Sequence, residues 1–313
     1  MVDSKQQWKA WIYLAPAIVL LLIFTVWPII NTVRMAFLDG YNGQAPFADY
    51  RIGIQNFADA FNKYSGFLNA LKNTTILCFA TVPLSTILAL LIAVCLNSIK
   101  PLQKFLQTIF FLPYVTNSIA IGMVFAAMFN IVGNNIGSEQ ELIATAGIIN
   151  NIIEFLGGTR INWINAGSTY WANMTVMVVY IVWNALPFKI LILLGGLQSI
   201  NKQYYDAARV DGTSRTRVFT KITVPLLSPM IAYVVITGFI GGFKEYSSVV
   251  GIFGENMGPP AAKDRLNTVV GYVYRALETG KMGRASAAAL ILFGIILVIT
   301  LINLQVSKKK VHY

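Results

Sequence analysis

The chain has 313 residues, 56% of them hydrophobic and only 12% charged, with a formal net charge of +11. That is too apolar for a soluble domain of this size and describes a protein that crosses a membrane several times. The basic residues are spread over loops between apolar runs, with no single stripe of basic and aromatic platforms, so the charge argues for membrane topology and against nucleic acid. Cys78 and Cys95 are the only cysteines; on one helix they would stand about 25 Å apart at 1.5 Å per residue, too far for a disulfide. His312, the only histidine, lies beside a lysine run at the C-terminal end. No His-based metal or catalytic cluster can be built from it.

Lys5 and Lys9 precede an apolar run from Ala10 to Ile30 that is longer than a signal-peptide core, and a first membrane helix is expected over 10–37. Residues 39–64 mix Gly, Pro, Asn and Asp with scattered aromatics, which suits an outer loop with short ordered pieces. A second helix is predicted over 74–97, then a short inner link carrying Lys100, Pro101 and Lys104. The third, over 105–130, contains Pro113, Asn117 and Ser118, which either line a polar path or mark a kink packed on neighbours. Residues 131–169 form a second outer segment with an amphipathic piece at Glu141–Leu156. Helix four, over 170–197, leads into a polar segment at 201–225, and helix five, over 226–249, leaves it. An outer stretch follows, with Gly258-Pro259-Pro260 and an interfacial helix at Thr268–Leu277, and helix six, over 285–305, ends in Lys308, Lys309 and Lys310. Six spans with both termini in the cytoplasm put Lys100, Lys104, Lys202, Arg209, Arg215, Arg217, Lys221 and the terminal lysines on one face, as the positive-inside rule for short loops requires. The expected fold is all-α and integral to the membrane, one transmembrane domain over 1–313.

The polar segment has its own grammar. Asn201 is a candidate N-cap for a short helix through Asp206, Ala207, Ala208 and Arg209, and Gly212 is placed to end it in a left-handed turn. Ser214 is expected to cap a second helix, whose apolar stripe of Val218, Phe219 and Ile222 runs until Pro225 and Pro229. Ala207 and Ala208 would let a partner surface come close, while Asp206 and Asp211 offer acceptors.

The order Asp206-Ala207-Ala208, Asp211-Gly212, Phe219, Ile222, Pro225, Pro229 closely resembles the EAA loop of ABC-importer permeases. Asp206 stands where that family usually has Glu, which keeps the charge and shortens the reach. Tyr13-Leu14-Ala15-Pro16-Ala17 through Trp27-Pro28, Ile54-Gln55-Asn56-Phe57 and Gly283-Arg284-Ala285-Ser286-Ala287-Ala288 are similar to the maltose-type sugar permeases in particular. The resemblance implies a six-helix transmembrane domain in the bacterial cytoplasmic membrane, with cytoplasmic coupling helices. It implies that Asp206, Ala207, Ala208, Asp211 and Gly212 dock on an ATP-binding subunit. Its implied partners are a second homologous permease, two ATP-binding subunits, an extracytoplasmic solute-binding protein and a sugar. The chain has no G-x-x-x-x-G-K-[ST] phosphate loop, since Gly280-Lys281 lacks the earlier glycine and the following Ser or Thr. ATP and Mg are therefore expected on partner subunits, with no cofactor, metal or catalytic residue on this chain.

Helix four contains Trp183-Asn184-Ala185-Leu186-Pro187-Phe188-Lys189, and its proline frees a carbonyl that must find a partner other than lipid. Helix five contains Gly238, Gly241 and Gly242, then Phe243-Lys244-Glu245-Tyr246. Sugars are held by carboxylates, amides and basic donors, with aromatic faces against the rings. Asn184, Phe188, Lys244, Glu245 and Tyr246 supply those groups, Gly241 and Gly242 permit close approach, and the resemblance puts these residues at or beside the family's sugar-contacting positions. Other roles stay open: an ion pair or a subunit interface for Lys244 and Glu245, core packing for Phe188 and Tyr246, helix packing for the glycines. The expected cargo is an oligosaccharide. A polyol, a phosphorylated polyol or an acidic sugar is the alternative, because Lys189 and Lys244 could meet an anion. A secondary transporter would show internal repeats and a membrane enzyme a constellation of His, Cys or paired carboxylates, and the sequence offers neither.

Overall fold

A computed structural model describes residues 7–62, 64–99, 105, 108–109, 112, 114, 116–133 and 144–310. The first span is one helix in three pieces: α1 (Gln7–Leu21), a π-helical turn at Leu22–Val26, and α2 (Trp27–Ala36). Pro28 has no N–H, and its ring crowds the carbonyl of Phe24. The widened turn, in which the Trp27 N–H reaches the Leu22 carbonyl, absorbs that clash, so the helix continues. By contacts the chain divides into two units, Met1–Leu68 with Tyr272–Gly294, and Asn69–Gly271 with Ile295–Tyr313.

In the first unit, the carbonyls left over at the end of α2 are met by one side chain. Asn56, on α3 (Gln55–Phe61), is 2% exposed, and its Nδ2 donates to the Ala36 carbonyl at 3.1 Å and the Leu38 carbonyl at 2.6 Å. A Cβ on Gly283 would lie 2.6 Å from that same Nδ2, so only glycine fits there. The next residue, Arg284, pairs with Asp59 at 2.9 Å. The Gln55 amide, hydrogen-bonded to Asp59, and the Arg284 guanidinium hold its carboxyl below the usual aspartate value, against the opposing effect of burial.

The second unit contains most of the long helices. α4 (Phe67–Ser98) carries Pro83 in its interior. α5 (Ser118–Phe129) is capped by Asn117, whose Oδ1 accepts from the Ile119 N–H at 2.8 Å. β1 (Ile131–Gly133) and β2 (Ala144–Ala146) pair antiparallel and form the only sheet among the described residues. Then come α6 (Ile148–Phe155), α7 (Tyr170–Ser199), α8 (Lys202–Val210), α9 (Arg215–Val218), a π turn at Phe219–Thr223, α10 (Val224–Leu226), α11 (Ser228–Phe243) and α12 (Ser247–Phe253); α13 (Val269–Glu278) and α14 (Met282–Lys310) follow and each has residues in both units. The second π turn precedes Pro225 as the first precedes Pro28, with the Val224 N–H on the Phe219 carbonyl. One core gathers Met174, Met177, Tyr180, Val249 and Ile252, and another gathers Ala89, Ala93, Ile190, Leu193 and Leu227. α5 and α12 cross so closely that a Cβ on Gly122 would stand 2.7 Å from the Gly251 Cα.

Four helices are long and apolar enough to cross a membrane among the described residues, and the bent pair Arg215–Leu226 and Ser228–Phe243 makes a fifth candidate crossing. With little else but helix, this is an all-α integral membrane fold. Several boundaries differ from those read in the sequence. The third helix, expected as one run over 105–130, is interrupted before α5, which starts only at Ser118 because Asn117 is extended and caps it. α4 starts at Phe67, ahead of 74, because the Ser65 hydroxyl accepts from the Phe67 N–H at 3.2 Å and Phe67 and Ala70 are fully buried. α14 runs from Met282 to Lys310, beyond 285–305 at both ends. Helix five, expected as one rod over 226–249, bends by 66° where Pro229 cannot continue the preceding turn, stops at Phe243 and restarts at Ser247. Pro225 does not end the helix before it, since the π turn accommodates that ring. The expectations for Lys100, Pro101, Lys104, Pro113, Glu141 and His312 lie outside the described residues.

Candidate functional site

Two features of the second unit carry the expected residues. The first is a cavity of about 300 Å³ among α4, α7 and α11. Asn184, Phe188, Gly241, Gly242 and Glu245 line it, together with Ser85, Tyr114 and Lys189. Pro187 is buried inside α7, which continues through it. One turn of α7 thus presents the Asn184 amide and the Phe188 ring on the same side. The Phe188 ring stacks on Tyr114 at 5.7 Å between centroids with 18° between planes, leaving an aromatic wall at the cavity edge.

The two adjacent glycines do different things. Space around Gly241 is open, whereas a Cβ on Gly242 would meet the Cys78 Sγ at 2.8 Å. Gly242 therefore serves the approach of α11 to α4, and Gly241 leaves room in the cavity.

Lys244 and Tyr246 are not brought to the cavity. The helix ends at Phe243 and the chain turns, so Lys244 is exposed at the end of α11 while Tyr246 packs against the core around Val249. Nor do Lys244 and Glu245 form an ion pair among the described residues. Glu245 Oε1 instead accepts from the Tyr246 N–H at 3.1 Å and the Ser248 N–H at 3.0 Å, capping α12. The sequence predicts one continuous helix through these residues, and the break after Phe243 separates them. Asn117 and Ser118 do not line the cavity either: Asn117 caps α5, and Ser118 is tied to the Tyr180 hydroxyl.

Lys189 is a larger part of the site than its sequence suggested. It is 5% exposed, and its Nζ donates to the Val82 carbonyl at 3.2 Å, Ser85 Oγ at 2.7 Å and Thr86 Oγ1 at 2.9 Å. The two hydroxyls donate in turn to carbonyls of α4. Charge buried in this way is sustained because all three ammonium hydrogens are taken up. The signal available beforehand was the Ser85-Thr86 pair within an apolar run, opposite a lysine on another run.

The second feature is the knob between α7 and α11. Asn201 Oδ1 accepts from the Gln203 N–H at 3.0 Å and starts α8. Gly212, at φ +64°, ends it. The Thr213 N–H reaches the Ala208 carbonyl at 2.9 Å and the Gly212 N–H reaches the Arg209 carbonyl at 3.2 Å, a Schellman closure. Ser214 precedes α9 but makes no side-chain capping bond. Ala208 is buried against the knob and Ala207 is exposed. Ala207, Ala208 and Asp211 border a groove of about 400 Å³ with Tyr204 and Ile222. Asp206 lies off that groove and pairs loosely with Arg209 at 3.7 Å on an exposed surface. The described residues contain no group of three His, Cys, Asp or Glu side chains able to hold a metal.

Residues 62–311 match the family described as "Binding-protein-dependent transport system inner membrane component". The chain is 30% identical over 299 residues to the arabinooligosaccharides transport system permease protein AraP of Bacillus subtilis (strain 168), covering 95% of this chain and 88% of that one. It is 28% identical over 298 residues to the lactose transport system permease protein LacF of Rhizobium radiobacter, covering 94% and 91%. Its fold matches, with a TM-score of 0.76 at 24% identity and coverage of 97% and 96%, a chain of a bacterial alginate ABC transporter solved in complex with its alginate pentasaccharide-bound periplasmic protein. The chain belongs to the binding-protein-dependent transport system inner membrane components, as a multi-pass transport subunit of the inner membrane.

Proposed function

We propose that the chain is one of two homologous permeases in an ABC importer and forms half of the path for a neutral sugar, an oligosaccharide first among the candidates. In this reading it spans the membrane six times with both termini in the cytoplasm. The knob of Ala207, Ala208, Asp211 and Gly212 docks on one of two ATP-binding subunits, with Asp206 at its edge, and an external solute-binding protein delivers the cargo. The cavity is the observation that carries the substrate class. An amide from Asn184, a carboxylate from Glu245 and the Phe188–Tyr114 stack meet there, the groups that hold hydroxyls and the apolar faces of sugar rings. The arabinooligosaccharide and lactose relatives support the same class.

The anionic reading loses ground on geometry. Lys189 spends its three hydrogens on Val82, Ser85 and Thr86, and Lys244 lies away from the cavity. Reconstitution with the accompanying subunits in proteoliposomes tests the proposal by uptake of labelled arabino-oligosaccharides and lactose against an acidic oligosaccharide. Neutral sugar should enter, and Glu245→Ala or Phe188→Ala should slow it in a complex that still assembles. Preference for the acidic sugar, or unchanged kinetics in both variants, would overturn it.

A further inference from the structure

The last turn of α2 borders a groove of about 670 Å³ in the first unit, lined by Val33, Arg34, Phe37, Phe47, Tyr50 and Ile52 among others. Most of the lining is apolar and open to the surroundings: Ile52 is 79% exposed, Phe37 40% and Val33 39%. Among the described residues that line it, Arg34 is the only one with a formal charge. Its guanidinium lies 4.6 Å from the centre of the Phe47 ring, and among the described residues its side chain has no ion pair or hydrogen bond. The nearby Asp39 carboxylate accepts from the Gln55 N–H at 2.9 Å instead. The groove thus holds one planar cation with its N–H donors unspent, against an apolar wall.

The helix that carries it suggests its depth. The candidate membrane span runs Trp11–Ala36, and a bilayer centred on it would bring Arg34 and the aromatic residues after it to the level where hydrocarbon gives way to headgroups. A groove with an apolar wall and a guanidinium at its rim is complementary to an amphipathic anion. We infer that the groove binds an anionic phospholipid, its phosphate on Arg34 and its upper acyl chain along Val33, Phe37 and Ile52. The Phe47 ring holds the guanidinium in place by cation–π contact. Arg34 also complements the negative end of α2, a role indifferent to which lipid is present.

The test uses the full-length chain, purified with the subunits that accompany it, in bilayers of phosphatidylcholine doped with spin-labelled phosphatidylglycerol or spin-labelled phosphatidylcholine. Wild type should retain phosphatidylglycerol in the motionally restricted shell in preference to phosphatidylcholine. Arg34→Gln should cut that preference about fivefold, the scale of one interfacial basic residue. Arg34→Lys should keep most of it, and Arg51→Gln, an exposed arginine outside the groove, should leave it unchanged. Equal retention of both lipids by wild type, or an undiminished preference in Arg34→Gln, would overturn the inference. So would displacement by free inorganic phosphate, which would make the ligand a soluble anion, and so would a disulfide from Ile52→Cys to another subunit in place of cross-linking to a photoreactive lipid.

Discussion

The cavity and the knob lie in the same unit, yet they are held together over very different distances along the chain. In the cavity Lys189 is fixed by hydroxyls 104 and 103 residues away, and Asn184 reaches Ser118 across 66 residues. In the knob the longest side-chain bond, between the Tyr205 and Thr223 hydroxyls, spans 18 residues, and the Gly212 turn closes within a single helix end. The knob is written locally by caps, a left-handed glycine and small residues. The cavity exists only after three helices have packed. Damage to the cavity should therefore cost more than damage to the knob, and should be repairable from a distant position.

The largest expected effect breaks the network around Lys189. Ser85→Ala with Thr86→Val leaves the buried ammonium with the Val82 carbonyl alone, and two lost hydrogen bonds to a charged group cost about 3–6 kcal/mol. Lys189→Met, which removes the charge as well, should cost far less. Thermal unfolding of the purified complex checks both, and a double variant as stable as wild type would show that these hydroxyls do not hold the cavity.

Next in size is the glycine pair of α11. Gly242→Ala drives a methyl against Cys78 and should destabilise by about 1–3 kcal/mol, with Cys78→Ala restoring most of the loss although it lies far away in sequence. Gly241→Ala meets nothing within 4 Å and should be neutral or slightly stabilising, as alanine is in a helix. Equal losses at the two positions would erase the distinction between packing glycine and cavity glycine.

The knob should respond more mildly. A Cβ on Gly212 meets nothing within 4 Å, so Gly212→Ala carries only the left-handed backbone penalty, about 1–2 kcal/mol, and Gly212→Asn less. Protease nicking of the knob reads this without unfolding the membrane helices, and no Cys78-like rescue should exist.

The smallest effect lies in the first unit and has features of both regions: Asp59 and Arg284 are far apart in sequence but partly exposed. The Asp59 carboxyl is lowered in the folded chain, so its contribution is complete above the ordinary aspartate value of about 3.9 and fades as the pH falls through the lower folded value. Unfolding measured between about pH 6 and 3 should show wild type losing part of its advantage over Asp59→Asn. A constant difference across that range would mean the pair contributes nothing that depends on charge.

The membrane class is legible in the residues alone, because long apolar runs have no other stable environment. So is the knob, because Asn201 and Gly212 act on backbone groups only a few residues away. Of the seven pathway residues named in the sequence through a resemblance and a mid-helix proline, five line the cavity. The rest depends on how the helices pack. Lys244 and Tyr246 left the site because the helix stops at Phe243 and Glu245, while lining the cavity, also caps a new helix, a break that the sequence does not mark. Asn56 became the cap of a helix that ends twenty residues earlier, a role visible only once the Ala36 and Leu38 carbonyls lie beside it. Lys189 became a brace because α4 brought two hydroxyls to it, and the distance between partners along the chain is what hid that contact from a reading of local pattern.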